Sequence, residues 1–243
     1  MVFKPYDENI RKENKMAIIK TKEEIEKLKN AALLGDKCFE YICGYIKAGM
    51  TEIEIAKAID EFFMKNGASA NSFDTIVGAG VNSALIHSTP SENVVKKNDI
   101  ILLDFGCVLD EYCSDMSRTI FVGEPTKKQI DIYNLVKEAH QNAANRITIG
   151  TMTDVADSFG RKNIQEAGYD YAHALGHGVG KQVHEDPVLS PKRSTELLEN
   201  MVFTIEPGIY LENEFGVRIE DTGVLTQDGV ELFSKSNRDI VII

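Results

Sequence analysis

A chain of 243 residues can bury a sizeable core and fits one large domain as readily as two small ones. With 43% hydrophobic and 27% charged residues and a formal charge of −11, it argues against nucleic acid or an anionic membrane as the main partner. No run approaches the roughly 18 apolar residues of a membrane span, and the opening MVFKPYDENIRKENK has no apolar stretch of a secretory leader, so the expected location is cytoplasmic. Cys38, Cys43, Cys107 and Cys113 make no CxxC pair and are expected as reduced, small core hydrophobes.

Thr21-Lys-Glu-Glu24 reads as a capping box that opens a long helix, with an apolar stripe of Ile25, Leu28, Ala32, Phe39, Ile42 and Ile46. Gly49 stops it. Thr51-Glu-Ile-Glu54 repeats the pattern and starts a second helix, ending before Gly67. From about 73 to 122 the segments FDTIVGAG, DIILLDFG, CVLDEY and SRTIFVG read as strands separated by turn signals. Thr126-Lys-Lys-Gln129 caps a third helix running to about Ile149, and a fourth covers roughly 154–167 before Gly168. MVFTIEPG, EFGVRIEDTGVLT and GVELF follow as strands.

The order helix, helix, strands therefore occurs twice. Gly49 and Gly67 align with Gly150 and Gly168 at one offset of 101, and Ile46 aligns with Ile147. The expectation is an α+β domain over 21–243 after an N-terminal extension, 1–20. Duplicated ααβ halves, about 21–122 and 126–227, would join in one largely antiparallel sheet with helices on one side. A site at their junction would draw ligands from both halves.

Charges fall where such strands should be apolar. Asp104 follows the apolar run Ile100 to Leu103, and Glu206 ends MVFTIEPG; a buried carboxylate costs several kcal/mol unless it is paired or bound to a metal. In GVRIED, Val217 and Ile219 take one face and leave Arg218 and Glu220 together on the other. Asp115 enters the strand-like SDMSRTIFV. A salt bridge or a turn cap would explain any one of these acids; four together point to a shared site.

Of the five histidines, His140 lies in Lys-Glu-Ala-His-Gln on the third helix and is expected to be solvated. His87, His173, His177 and His184 fall in Gly-rich or Pro-containing stretches between strands, where loops tend to hold function. With four strand-borne carboxylates they suggest a metal site. Carboxylate-rich ligation without thiolates suits Mn²⁺ and admits Co²⁺, Fe²⁺ or Zn²⁺. Two ions would balance so many negative oxygens better than one, and a pair of ions is a hydrolytic arrangement. GHGVGK has Leu175 where a phosphate-binding loop needs its first glycine, and DFG at 104–106 comes without a glycine-rich loop or an HRD segment, so nucleotide chemistry is set aside.

Over about residues 16–240 the chain resembles the pita-bread metallopeptidases, the group of methionine aminopeptidases, aminopeptidase P, prolidases and the non-peptidase creatinases. The resemblance rests on an ordered Asp, Asp, His, Glu, Glu set, here Asp104, Asp115, His177, Glu206 and Glu220. It implies a curved sheet with helices on its outer side. Asp104 would hold one metal, His177 and Glu206 the other, and Asp115 and Glu220 would bridge both. The implied reaction is hydrolysis of the first peptide bond of a small peptide by water held between the ions. Glu206 would also shuttle the proton, His184 and His87 would contact substrate and stabilise the developing oxyanion or leaving nitrogen, His173 would line the pocket, and Arg218 would buttress Glu220. A homodimer fits the same picture.

Two branches of the group stay open. FTIEPGIY followed by GVRIED, with Glu220 fourteen positions after Glu206, resembles prolidase and aminopeptidase P; so does HALGHGVGKQVHEDP, although Ala174 and Asn200 stand where that pattern has glycine. Proline peptidases normally carry an extra N-terminal domain, whereas this sequence has about twenty residues before its first helix and the length of a bacterial methionine aminopeptidase. A non-catalytic peptide-binding module is the reading from another class, and usually lacks some of the five ligands. A glycosidase, the rival that also uses paired carboxylates, needs no metal.

Overall fold

The computed structural model describes residues 19–243, so all but the last two residues of the expected extension lie outside the described residues. Among the described residues, three of the four α-helices open on the capping boxes read from the sequence: α1 (Lys22–Tyr45) on Thr21 and Glu24, α2 (Glu52–Lys65) on Thr51 and Glu54, and α3 (Lys127–Arg146) on Thr126 and Gln129. Each box satisfies two N–H groups reciprocally and is worth about 1 kcal/mol. α4 (Thr153–Glu166) starts at Met152 without a side-chain cap. The long helices stop earlier than their glycines. Ile46 and Ile147 turn extended and bury their side chains, and Gly49 and Gly150 then take the left-handed turn at φ 98° and 88°.

The first half carries β1 (Ala70–Asn71), β2 (Ile76–Ala79), β3 (Ile100–Phe105), β4 (Cys107–Leu109), β5 (Tyr112–Cys113) and β6 (Met116–Phe121). CVLDEY is a hairpin, β4 to β5, whose turn residues Asp110 and Glu111 both have positive φ. The second half carries β7 (Gly176–Gly178), β8 (Glu185–Leu189), β9 (Val202–Ile205), β10 (Gly208–Leu211), β11 (Phe215–Arg218), β12 (Asp221–Thr226) and β13 (Gly229–Leu232); β14 (Val241–Ile242) returns to pair parallel with β6. EFGVRIEDTGVLT is thus two strands, because β11 pairs with β10 whereas β12 pairs with β9 and β13.

The strands form two main ladders, β14-β6-β3-β2 and β13-β12-β9-β7-β8, antiparallel apart from β14. They meet where β6 runs beside residues 218–222. There the Glu220 N–H donates to Ser117 O at 3.1 Å and the Arg218 N–H donates to Thr119 Oγ1 at 3.1 Å.

The ααβ duplication is visible in hydrogen bonds. Gly49 N–H donates to Val95 O and Val95 N–H to Met50 O; Gly150 N–H donates to Leu197 O and Leu197 N–H to Thr151 O. Asn98 and Asn200, at φ 71° and 66°, each lead into an apolar strand. Asn tolerates this left-handed conformation better than other side chains, which explains how Asn200 fills a glycine position.

Alternation along the strands fixes which side chains reach the inside. Ile101, Leu103 and Phe105 of β3 pack with Ile42, Ile55 and Phe63 of α1 and α2, leaving Asp104 on the opposite face. Phe203 and Ile205 of β9 pack with Val136, Ala139 and Ile164 of α3 and α4, leaving Thr204 and, beyond the strand end, Glu206 opposite. Each fully buried apolar side chain stabilises by about 1.5–3 kcal/mol.

His140 corrects an expectation. Rather than solvated it is 1% exposed, with Nε2 3.1 Å from Asp221 Oδ2 at the start of β12. Burial pushes the Asp221 carboxyl up, but Arg118, His140 and Arg238 more than reverse this and hold it below its ordinary value. The polar neighbours of His140 along α3 hide that its own position faces this buried acid.

Candidate active site

The fold brings the four acids and one imidazole of the motif to one cavity of about 490 Å³. Asp104 comes from β3, Asp115 from the residue before β6, His177 from the middle of β7, Glu206 from the end of β9, and Glu220 from the break between β11 and β12. His87, His173, His184 and Arg218 line the same cavity. His177 Nε2 lies 3.5 Å from Asp115 Oδ2 and 3.4 Å from Glu206 Oε1. Ligand atoms of Asp115, His177 and Glu220 all fall within 4.8 Å of one another.

Glycine lets these strands approach. A Cβ on Gly176, just before His177, would meet Thr204 O at 1.9 Å. Across this close contact the His177 N–H donates to Thr204 Oγ1 at 3.0 Å, and the Thr204 hydroxyl donates to Glu206 Oε1 at 3.2 Å. The backbone that carries the imidazole is therefore tied to the carboxylate facing it.

Arg218 sits under the acids, 2% exposed. It was expected to buttress Glu220, but its Nη2 donates to Asp104 Oδ2 at 2.6 Å. It reaches Glu220 through a relay: Nε donates to Ser117 Oγ at 2.7 Å, and Ser117 donates to Glu220 Oε2 at 2.6 Å. Its Nη1 donates to Tyr210 Oη at 2.8 Å and to Ile86 O at 3.2 Å. Tyr210 Oη is also 2.9 Å from His173 Nε2, and His173 Nδ1 is 2.8 Å from Ala174 O. The tautomer consistent with both contacts carries its proton on Nδ1 and accepts from the tyrosine. The His184 ring lies tilted against that of His177, centroids 4.2 Å apart, and His87 is exposed where it lines the cavity.

The electrostatics describe a cluster that calls for cations. Burial, then the neighbouring acids Glu220, Asp104 and Glu206, push the Asp115 carboxyl well above the ordinary range. Glu220 is raised in the same way, by burial and then Glu206 and Asp104, and burial raises Glu206. Burial lowers His173, His177 and His184, favouring neutral imidazoles, the form that ligates. Asp104 Oδ1 is buried without a hydrogen-bond partner. An orphaned carboxylate oxygen beside crowded acids and a neutral imidazole, with no thiolate, fits hard or borderline divalent ions.

Several residues of the site escape sequence reading. Tyr210 and Ser117 act through contacts with distant residues and give no local sign. Thr204 could have been found, since it lies two positions before Glu206 and so shares its face. The wall formed by Phe73, Thr75, Ile76, Ile86, Ser88 and Pro90 comes from first-half loops with no motif of their own.

Paired ααβ halves around an acid-rich, metal-fitting cavity define a metal-dependent hydrolase with the pita-bread fold. Residues 26–227 match the model of metallopeptidase family M24, and the chain belongs to that family. It is 41% identical over 241 residues to an Xaa-Pro dipeptidase of Pyrococcus furiosus, covering 98% of this chain and 68% of the relative. It is 42% identical over 232 residues to an Xaa-Pro dipeptidase of Lactobacillus helveticus, covering 94% and 63%. The X-Pro aminopeptidase structure from Thermotoga maritima superposes with a TM-score of 0.93 at 40% identity, covering 96% of this chain and 67% of that one. The chain thus spans about two thirds of the length of these relatives. Among the described residues no helix is long and apolar enough to cross a membrane.

Proposed function

We propose that the protein is a dinuclear metallo-aminopeptidase that releases the N-terminal residue of small Xaa-Pro peptides, with Mn²⁺ or Co²⁺ as the preferred ions and Zn²⁺ or Fe²⁺ admitted. The observation that carries this reading is the convergence of Asp104, Asp115, His177, Glu206 and Glu220, from both halves, on one cavity. Asp104 would hold one ion, His177 and Glu206 the other, and Asp115 and Glu220 would lie between. When bound, the ions lower the pKa of water and polarise the scissile carbonyl.

The chain's own groups would do the rest. Glu206, oriented by the Thr204 hydroxyl, takes the proton of the attacking water and returns it to the leaving nitrogen. His184 and His87, at the cavity wall, donate to the developing oxyanion or the leaving nitrogen. His173 lines the cavity with its Nε2 held by Tyr210. Arg218 fixes Asp104 directly and Glu220 through Ser117, so both carboxylates keep one orientation. Phe73, Ile76, Ile86 and Pro90 supply an apolar wall suited to a proline ring. The two dipeptidase relatives support the Xaa-Pro preference.

The test is a side-by-side assay of metal-loaded protein on an Xaa-Pro dipeptide, a longer Xaa-Pro peptide and a Met-Ala peptide. Chelation should abolish turnover and Mn²⁺ or Co²⁺ restore it; persistence after chelation would refute the metal mechanism. Preference for Met-Ala would assign a methionine aminopeptidase instead. Glu206→Gln should abolish turnover while metal content largely survives, and near wild-type turnover would remove Glu206 from the mechanism. No turnover of any peptide, with binding intact, would leave the peptide-binding module.

A further inference from the structure

Glu52, in the first turn of α2, is fully buried, and no cation is within ion-pair distance of its carboxylate among the described residues. Its two oxygens are instead filled by donors from one stretch of chain. Oε1 accepts from the Ala79 N–H at 2.8 Å, Asn82 Nδ2 at 2.9 Å and Asn93 Nδ2 at 2.9 Å. Oε2 accepts from the Ser91 N–H at 3.1 Å, Ser91 Oγ at 2.7 Å and Asn82 Nδ2 at 3.2 Å. The backbone adds two more ties, Glu52 N–H to Asn93 O and Ile53 N–H to Ser91 O.

These donors bracket the segment from Ala79 to Ser91. Between the two brackets lie Ile86, His87, Ser88, Thr89 and Pro90, which form one wall of the catalytic cavity. Two further contacts hold the middle of the segment against the second half. The Gly216 N–H donates to Ser83 Oγ at 2.9 Å, and Arg218 Nη1 donates to Ile86 O. Gly216 has no room for a side chain there, since a Cβ would meet Ser83 O at 2.2 Å. The segment thus spans from the Glu52 carboxylate on α2 to the arginine beneath the acids, held by a charged group on each side.

The other half shows what a shorter tie does. Thr153 holds the matching place in the first turn of α4, and its hydroxyl bonds only Arg193 O and the Thr195 N–H. The Glu52 carboxylate reaches the matching loop as an acceptor only, from Ser91 and Asn93, and also reaches back across to Ala79 and Asn82. That added reach closes the segment into a fixed wall. A donor-filled buried carboxylate has no role in reducing charge here; what it supplies is the geometry of the groups that depend on it.

From this arrangement we infer that Glu52 is a positioning residue for substrate. By clamping both ends of the 79–91 segment it sets the place of His87 and the apolar wall, and it acts on peptide binding rather than on the cations. The inference rests on the peptidase reading above. The test compares the Mn²⁺-loaded full chain with its Glu52→Gln and Ser91→Ala variants, using an Ala-Pro dipeptide. Measured together are kcat, KM, metal content, and amide hydrogen exchange across 79–93 and across 100–106. Losing a buried hydrogen bond to a charged group corresponds to a factor of about 10 to 100. Glu52→Gln is therefore expected to raise KM at least tenfold through the displaced wall and to lower kcat through the displaced His87, with metal content much less affected, and to speed exchange in 79–93 but not in 100–106. Ser91→Ala removes one donor and should raise KM roughly fivefold with the same exchange pattern, and it carries the test if Glu52→Gln fails to fold. Unchanged KM and exchange in folded variants would overturn the inference, and so would a KM rise matched by metal loss. If wild-type protein hydrolyses no peptide, the peptidase reading fails, while the exchange comparison still decides whether Glu52 holds the segment.

Discussion

Replacing Arg218 with Met is expected to weaken the metal-free protein far more than the metal-loaded one, and to tighten cation binding while activity falls. Five carboxylates, the exposed Asp74 and the four inner acids Asp104, Asp115, Glu206 and Glu220, share the cavity with this single guanidinium. Met keeps much of the side chain's length, so the change removes charge and hydrogen bonds more than volume. Without cations, Asp104 loses its 2.6 Å partner, and breaking a buried pair from one side costs about 3–5 kcal/mol. With cations bound, their charge takes over the neutralisation, and what remains is the loss of hydrogen bonds to Ser117, Tyr210 and Ile86, about 1–3 kcal/mol. A difference of about 2 kcal/mol between the two states requires, by linkage, a cation affinity roughly 30-fold tighter in the variant. Turnover nonetheless drops, because Asp104 and Glu220 lose the groups that orient them. Urea unfolding in chelator and in saturating Mn²⁺ at pH 8, with a competition titration against a metal indicator, measures both sides of the cycle. Equal destabilisation in the two conditions, or weaker cation binding, would refute the idea that Arg218 stands in for cation charge.

Two other outcomes follow from packing and burial. Gly176→Ala must push the β7 and β9 backbones apart by more than about 1 Å, so it should cost about 1–3 kcal/mol or more and lower metal content by displacing His177; wild-type stability and metal content would contradict this contact. Burial pushes the Cys43 and Cys107 thiols up to about 11 and raises Cys38 and Cys113, so all four stay protonated near neutral pH, where thiolate attack needs pH to approach the raised values. Less than one equivalent should react with a disulfide reagent at pH 7.5 in the native state, against four in urea; rapid native labelling would show a thiol more exposed than described.

What could be read from the sequence was whatever has a local cause. A Thr followed three residues later by Glu or Gln declares a helix start because both members of the box lie within one turn, and all three boxes are observed. Acids at the ends of apolar runs stood out because a strand alternates, so Asp104 and Glu206 had to face away from the helices. What could not be read depends on partners far along the chain. His140 looks solvated until Asp221 is packed against it, and Arg218 was assigned to its near neighbour Glu220 while its direct partner is Asp104 on another strand. Where the two ladders of the expected antiparallel sheet meet could not be read, because the break at Ile219 and Glu220 follows from pairing choices made by β9 and β10. Glu52 passed as an ordinary first-turn acid of a helix, since its six acceptor contacts come from residues 79–93.

Asn98 and Asn200, both at positive φ, mark the same step in each half, and each is followed, six residues on, by an acid: Asp104 after Asn98, Glu206 after Asn200. The repeated step thus sets one acid of each half at the same distance along the chain. Any ancestor of half this length that paired with a second copy of itself would already have held two carboxylates facing one cleft. In the present chain His177 on one side and the wall of Ile86, His87 and Pro90 on the other break that symmetry and give the groove a direction.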